Sequence, residues 1–232
     1  MAKEEDNQTP VSDKFSLDCV KNSDIKITHK FTLGDTSKQT FCVRFDPNDK
    51  YIAAGQGDGT IKIFNLLTGK QSYTLNSNMD EPMPITQIRW RPLAAPGVTK
   101  NVLISVNANG SLQHWHTTSG KLLHTIHDEL NQLLTVDYKP DGTSFATGGS
   151  DCIVRVYDEQ TRKLKVTLEG GGTGEPGHSN RVFALKFDKD DDNMLLSGGW
   201  DNNVKIWDIR MGAAVRSIYG PYICGDARVL EG

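Results

Sequence analysis

A serine, a histidine and an aspartate lie close together near the C-terminal end of the chain, at Ser197, His178 and Asp201. That trio is the equipment of nucleophilic acyl transfer: a hydroxyl, a base to take its proton, and a carboxylate to orient the base. The surrounding sequence does not support that use. Ser197 stands in Leu195-Leu196-Ser197-Gly198-Gly199. This is not the G-x-S-x-G elbow that thrusts a serine out of a sheet. No catalytic residue is assigned.

Other chemistry fares no better. His114 and His116 flank Trp115, but no cysteine or carboxylate cluster joins them in sequence, so no metal site is assigned. Cys19, Cys42, Cys152 and Cys224 have no metal-ligand spacing and read as free thiols. The run Asp188–Asn193 is acidic but lacks the glycine and terminal glutamate of a calcium loop, and reads as a solvated turn. The glycine-rich stretch Gly170–Gly177 has neither a following Lys-Ser/Thr nor a following helix, so it is no phosphate cradle. No cofactor is expected.

The elements that hold these residues repeat. Gly198-Gly199-Trp200-Asp201-Asn202-Asn203-Val204-Lys205-Ile206-Trp207-Asp208 reads as a strand end, a tight polar turn, and an alternating strand that stops at an aromatic residue. Gly55–Phe64, Val106–Trp115 and Gly148–Tyr157 read the same way. The closing aromatics Phe64, Trp115, Tyr157 and Trp207 recur at intervals of 51, 42 and 50 residues, and the turn residues Asp58, Asn109, Asp151 and Asp201 keep those intervals. Around each core a four-strand unit is expected. The first has strands at 41–45, 51–55, 60–64 and 71–75, and the second at 85–90, 101–106, 111–115 and 121–126. Strands at 132–138, 144–148, 152–157 and 163–168 make the third, and 181–187, 194–198, 203–207 and 213–218 the fourth. Four strands per unit at a period near ~40–45 residues are the signature of propeller blades.

On these residues the chain resembles the WD-repeat β-propeller family over roughly residues 29–220. The expected fold is all-β, built of about four blades of four antiparallel strands. The domain plan is a polar arm at 1–23, a propeller at 24–220 and a tail at 221–232. The blades fall at 34–78, 79–128, 129–169 and 178–220, with a leading outer strand at 27–33 that has no inner strands of its own. The family's common ring has seven blades, so the resemblance implies an incomplete ring and a truncated or short form. Such an arc leaves apolar blade faces and strand edges uncovered.

The resemblance also gives the Ser-His-Asp set its meaning. In the family, residues matching His178, Ser197, Asp201 and Trp207 form a hydrogen-bonded tetrad tying loop to blade. The other units keep only parts of it: Thr147, Asp151 and Tyr157; Ser105, Asn109 and Trp115; Asp58 and Phe64.

The function expected is therefore a non-catalytic protein–protein interaction scaffold. Its candidate contact loops are Gln56–Gly59, Asn107–Gly110, Ser150–Cys152 and Trp200–Asn202, with Trp200 as the leading anchor candidate. Trp207-Asp208-Ile209-Arg210 resembles the box by which some WD-repeat proteins dock on the adaptor of cullin-RING ubiquitin ligases. That makes Asp208 and Arg210 candidate contacts and a ligase substrate receptor the sharper alternative. A non-functional or regulatory truncated form of a longer WD-repeat protein is a second.

Bulk composition narrows the partners. The chain carries 26 basic and 29 acidic residues for a net charge of −3, which argues against a nucleic-acid surface. No apolar run reaches the ~18 residues that cross a bilayer, and the acidic N-terminus is not a signal peptide. Protein or peptide partners in the cytosol or nucleus are expected.

Overall fold

The computed structural model describes residues 28–34, 37–76, 83–95, 100–170, 175–220 and 222–224. The chain divides into two units, Met1–Phe31 and Thr32–Gly232. In the first, only residues 28–31 are described and they form no strand; the expected arm at 1–23 lies outside the described residues.

The described residues of the second unit carry sixteen strands. Blade 1 is β1 (Thr40–Phe45), β2 (Tyr51–Gln56), β3 (Ile61–Asn65) and β4 (Gln71–Leu75). Blade 2 is β5 (Ile85–Trp90), β6 (Val102–Asn107), β7 (Ser111–His116) and β8 (Lys121–His127). Blade 3 is β9 (Leu133–Tyr138), β10 (Ser144–Gly149), β11 (Val154–Asp158) and β12 (Leu164–Leu168). Blade 4 is β13 (Val182–Phe187), β14 (Met194–Gly199), β15 (Asn203–Asp208) and β16 (Ala213–Tyr219). Each blade is one antiparallel sheet in simple chain order, with no strand shared between blades.

One expected strand is absent. Residues 28–33, part of the expected outer strand at 27–33, form no strand. A strand needs a neighbouring edge to satisfy its backbone, and no fifth sheet is present among the described residues to offer one.

The burial pattern explains why blades stack. The second strand of blades 2 and 3 is buried along its whole length, because it is covered on both faces. The outer strands β8 and β12 are mostly exposed or half-buried, as strands at a sheet edge are. Three apolar clusters result, each made between successive blades. Ile61, Ile63 and Leu75 of blade 1 meet Ile85, Ile88 and Leu103 of blade 2. Ile104, Val106 and Leu112 meet Leu133, Val136 and Tyr138 of blade 3. Val154, Val156 and Leu168 meet Leu185, Phe187 and Trp207 of blade 4. No such cluster joins blade 4 to blade 1 among the described residues, so the ring is open.

Polar contacts stitch the same interfaces. Asp137, next to the last residue of β9, accepts from Arg89 Nε of blade 2 at 2.9 Å and from the backbone N–H of Phe187 of blade 4 at 3.1 Å. The Gln87 side-chain carbonyl accepts from Thr135 Oγ1 at 2.9 Å and Val136 N at 2.6 Å. Glu159 of blade 3, also buried, faces Arg91 and His114 of blade 2 and accepts from Tyr138 at 3.2 Å. Burial, and then the Glu159 charge, drives the Tyr138 hydroxyl well above its ordinary pKa.

Candidate functional site

The four second-to-third-strand turns share one local design. In each, a side-chain oxygen turns back to the backbone N–H two residues on. Asp58 Oδ1 reaches Thr60 N at 3.1 Å, Asn109 Oδ1 reaches Ser111 N at 3.0 Å, Asp151 Oδ1 reaches Ile153 N at 3.1 Å, and Asp201 Oδ1 reaches Asn203 N at 3.2 Å. Short Asx carboxylates and amides do this because they mimic a backbone turn. The left-handed position in these turns falls to Gly59, Gly110, Cys152 and Asn202. Four rigid turns thus sit at the same end of four successive sheets.

In blade 1 the turn is further braced by a Lys38–Asp58 ion pair. Burial works against the charged form, but hydrogen bonds from Lys38 and Thr60 hold the Asp58 carboxyl down at about 2.

In blade 4 the turn is tied to the core. His178 Nδ1 lies 2.8 Å from Asp201 Oδ2, and His178 Nε2 lies 2.6 Å from Ser197 Oγ. The indole N–H of Trp207 donates to the same Ser197 oxygen at 2.7 Å. The Ser179 N–H adds a bond to Asp201 Oδ2 at 3.1 Å. A neutral ring fits this chain of donors: Nδ1–H gives to the carboxylate while Nε2 receives from the serine hydroxyl. Burial lowers the His178 pKa, against the pull of Asp201. Ser197 is only 2% exposed. A hydroxyl so enclosed, already accepting from Trp207, offers no oxygen to a substrate; the geometry locks a loop to a blade rather than attacking anything.

The other blades build partial versions. Trp115 donates to Ser105 Oγ at 2.9 Å, the first link of the blade 4 chain. In blade 3 the loop-to-turn tie comes from Asn131, a residue the sequence reading missed. Its side-chain carbonyl accepts from Ser150 Oγ at 3.2 Å and Asp151 N at 3.3 Å, while its amide gives to Asp128 at 2.8 Å. An asparagine just ahead of an apolar strand was the only signal available.

Trp200 is not a free-standing anchor. Its ring stacks on Phe183 with ring centres 4.7 Å apart and on Tyr222 at 6.2 Å, and the Arg181 guanidinium lies 5.6 Å from its centre. Asp208 and Arg210 lie together at the opposite end of β15. Arg210 Nη2 reaches Asp208 Oδ2 at 2.8 Å, and Nε reaches Oδ1 at 3.2 Å. The Asp208 carboxyl is nearly covered and the guanidinium is 68% exposed.

No group of three potential ligands close enough to hold a metal occurs among the described residues. Asp188 turns inward on its own loop, accepting from the N–H groups of Asp190 and Asp191 at 2.7 and 3.0 Å. No helix among the described residues is long and apolar enough to cross a membrane.

The model of the WD domain, G-beta repeat, matches residues 27–65, 120–158 and 172–208. The chain belongs to the WD-repeat family. Among curated relatives of this WD-repeat chain is the U3 small nucleolar RNA-associated protein 21 homolog of Schizosaccharomyces pombe, 24% identical across 83% of this chain and 20% of its own length. The guanine nucleotide-binding protein subunit beta of Arabidopsis thaliana is 23% identical over 83% of this chain and 62% of its own. Beta-1 of Drosophila melanogaster is 29% identical over 56% of this chain and 36% of its own. The chain thus spans less than two thirds of the length of these relatives. A chain in a crystal structure of the mitotic checkpoint complex superposes with a TM-score of 0.66 and 19% identity, covering 80% of this WD-repeat chain and 52% of that one. At that identity the likeness speaks to fold.

Proposed function

We propose that this WD-repeat chain is a non-catalytic protein-interaction scaffold that presents peptides or protein surfaces with a rigid face of turns, in the cytosol or nucleus. The observation that carries the reading is the fourfold Asx-braced turn, repeated at one end of all four blades. Rigid loops on a stable frame lose little entropy on binding, which is how scaffolds gain specificity. Of the candidate loops, the one at Trp200 carries the densest aromatic surface. The exposed Tyr222 ring and the Arg181 guanidinium extend it, so Trp200 contributes as the centre of a stack. Relatives named as a small nucleolar RNA-associated protein and as a subunit of a guanine nucleotide-binding protein are consistent with such a role.

The test is cross-linking mass spectrometry on proteins recovered with the purified chain, comparing wild type with Arg181→Ala/Tyr222→Ala. Cross-links concentrated at the turn face and weakened in the variant are expected. Partners linked to the sheet edges, and indifferent to the variant, would overturn the reading.

A second reading rests on Arg210. Its planar guanidinium is held in a two-pronged grip by Asp208 yet stays exposed, as a preset contact for an acidic or carbonyl-rich surface would be. We assign this to docking on the ubiquitin-ligase adaptor. Purified adaptor should bind wild type and lose affinity for Arg210→Ala; equal binding removes this reading while leaving the scaffold reading untouched.

A further inference from the structure

The open ring has two unlike ends, and each is half of an interface that the molecule builds three times internally. The leading face of blades 2, 3 and 4 presents Ile88, Val136 and Leu185 at one register position, all buried against the blade before. Blade 1 presents Val43 at that position, 48% exposed. Two residues on, Tyr138 and Phe187 are buried, whereas the matching Phe45 of blade 1 is 55% exposed.

The trailing face shows the converse. Ile61, Val154 and Leu75 are sealed beneath the following blade. Their register equivalents in blade 4 are Val204, half-buried, and Ile218, 43% exposed.

One corner of the trailing face is already filled, by the chain itself. A Cβ on Gly55 would strike Ile85 of the next blade, and a Cβ on Gly148 would strike Val182; both are the first residue of the blade that follows. At the equivalent Gly198 the atom in the way is Cδ1 of Ile223, whose backbone N–H reaches Gly199 O at 3.4 Å. Ile223 therefore stands where the first residue of another blade stands. In blade 1 that first residue is Thr40, polar and exposed. The tail supplies the one apolar contact that the leading face of blade 1 lacks.

We propose that two copies of this chain associate front to back, the leading face of blade 1 in one copy closing over the trailing face and Ile223 of blade 4 in the other. The occupant is a second copy because both halves of the joint belong to this chain and match by register the three joints already formed. Because the contact is between unlike faces, a closed pair uses it twice. Burying large apolar side chains that now face water drives it.

The experiment is light scattering behind size exclusion on the full 232-residue chain, with Phe45→Glu and Ile218→Glu. Both side chains are substantially exposed, so the substitutions leave the core intact; circular dichroism checks this, and Val43→Glu with Val204→Glu replaces any variant that fails it. The wild type is expected as a dimer. Each variant alone is expected as a monomer, since every front-to-back contact then contains a charged residue. An equimolar mixture is expected to recover a dimer, because one intact front meets one intact back. A monomeric wild type, a dimer that survives either variant, or a mixture that stays monomeric would each overturn the proposal.

Discussion

The indole N–H of Trp207 and the Oγ of Ser197 meet at 2.7 Å inside blade 4, with both residues withdrawn from solvent. The bond matters because the indole N–H has no water to fall back on, and an unmet buried donor costs about 1–3 kcal/mol. Ser197→Ala strips the acceptor from Trp207 and the donor from His178 Nε2 together. It is expected to lower unfolding free energy by roughly 1–3 kcal/mol, read as a drop in the urea midpoint at unchanged slope. Ser105→Ala in blade 2 is the internal control. It removes the same indole contact to Trp115 without a histidine behind it, so it should cost less. Equal losses would mean that His178 adds nothing.

Stability should fall on mild acidification. His178 is held neutral by burial, with a folded pKa below its ordinary value, and His124 is shifted the same way, again chiefly by burial. An unfolded histidine titrates near ~6.5. Below that value the unfolded chain binds protons that the folded chain resists, so their contribution is fully present above ~6.5 and lost as pH falls toward the folded pKa. The lowered aspartates, Asp58, Asp141, Asp158, Asp188 and Asp208, act only below their ordinary 3.8, which leaves the window from pH 7.5 to 5 to the histidines. Thermal melts across that window should show a declining midpoint, and His178→Asn should flatten the decline. A parallel slope in the variant would place the sensitivity elsewhere.

The repeat was legible because turn chemistry and strand alternation are local. Asp58, Asn109, Asp151 and Asp201 announce their turns through residue type alone, and the strand ends fall within a residue or two of expectation. The blade 4 tetrad residues could be named because His178, Ser197, Asp201 and Trp207 match positions that the family resemblance picks out. Asn131, Gln87 and Asp137 could not. Gln87 and Asp137 act across joints between blades, on partners 48 to 50 residues away, and a polar residue on a strand looks the same whether it faces water or a neighbouring blade; Asn131 lies in a loop and ties to a turn 19 and 20 residues on within its own blade. The outer strand expected at 27–33 failed for a related reason: its sequence suits a strand, but pairing depends on an edge elsewhere. Trp200 as an anchor was half visible, since sequence placed it at a turn tip while its two stacking partners come from β13 and from the segment after β16.

Asp137 gives the interblade joints a single point of attack. Its carboxylate serves blade 2 through Arg89 and blade 4 through the Phe187 N–H, from a nearly dry position in blade 3. Asp137→Ala removes both bonds and the countercharge, a change of the kind that costs about 3–5 kcal/mol at a buried pair. Asp137→Asn keeps an oxygen for the Phe187 amide and should cost less. The urea midpoints should therefore rank wild type, Asn, Ala in falling order. An alanine variant as stable as wild type would show that the apolar clusters alone hold the blades together.

The described cysteines should separate by reactivity. Burial pushes the Cys42 thiol up to about 11, and Sγ lies against the Ile85 carbonyl at 3.9 Å in the joint between blades 1 and 2. Burial and then the Asp151 charge raise Cys152 as well, while Cys224 is exposed. The thiolate is the reacting species, so a raised pKa and a covered sulfur slow alkylation together. Under native conditions at pH 7.5, peptide-resolved iodoacetamide labelling should modify Cys224 first, Cys152 more slowly and Cys42 last, with Cys42 catching up only in denaturant. Cys42 labelled early in folded protein would mean that the joint between the first two blades opens readily.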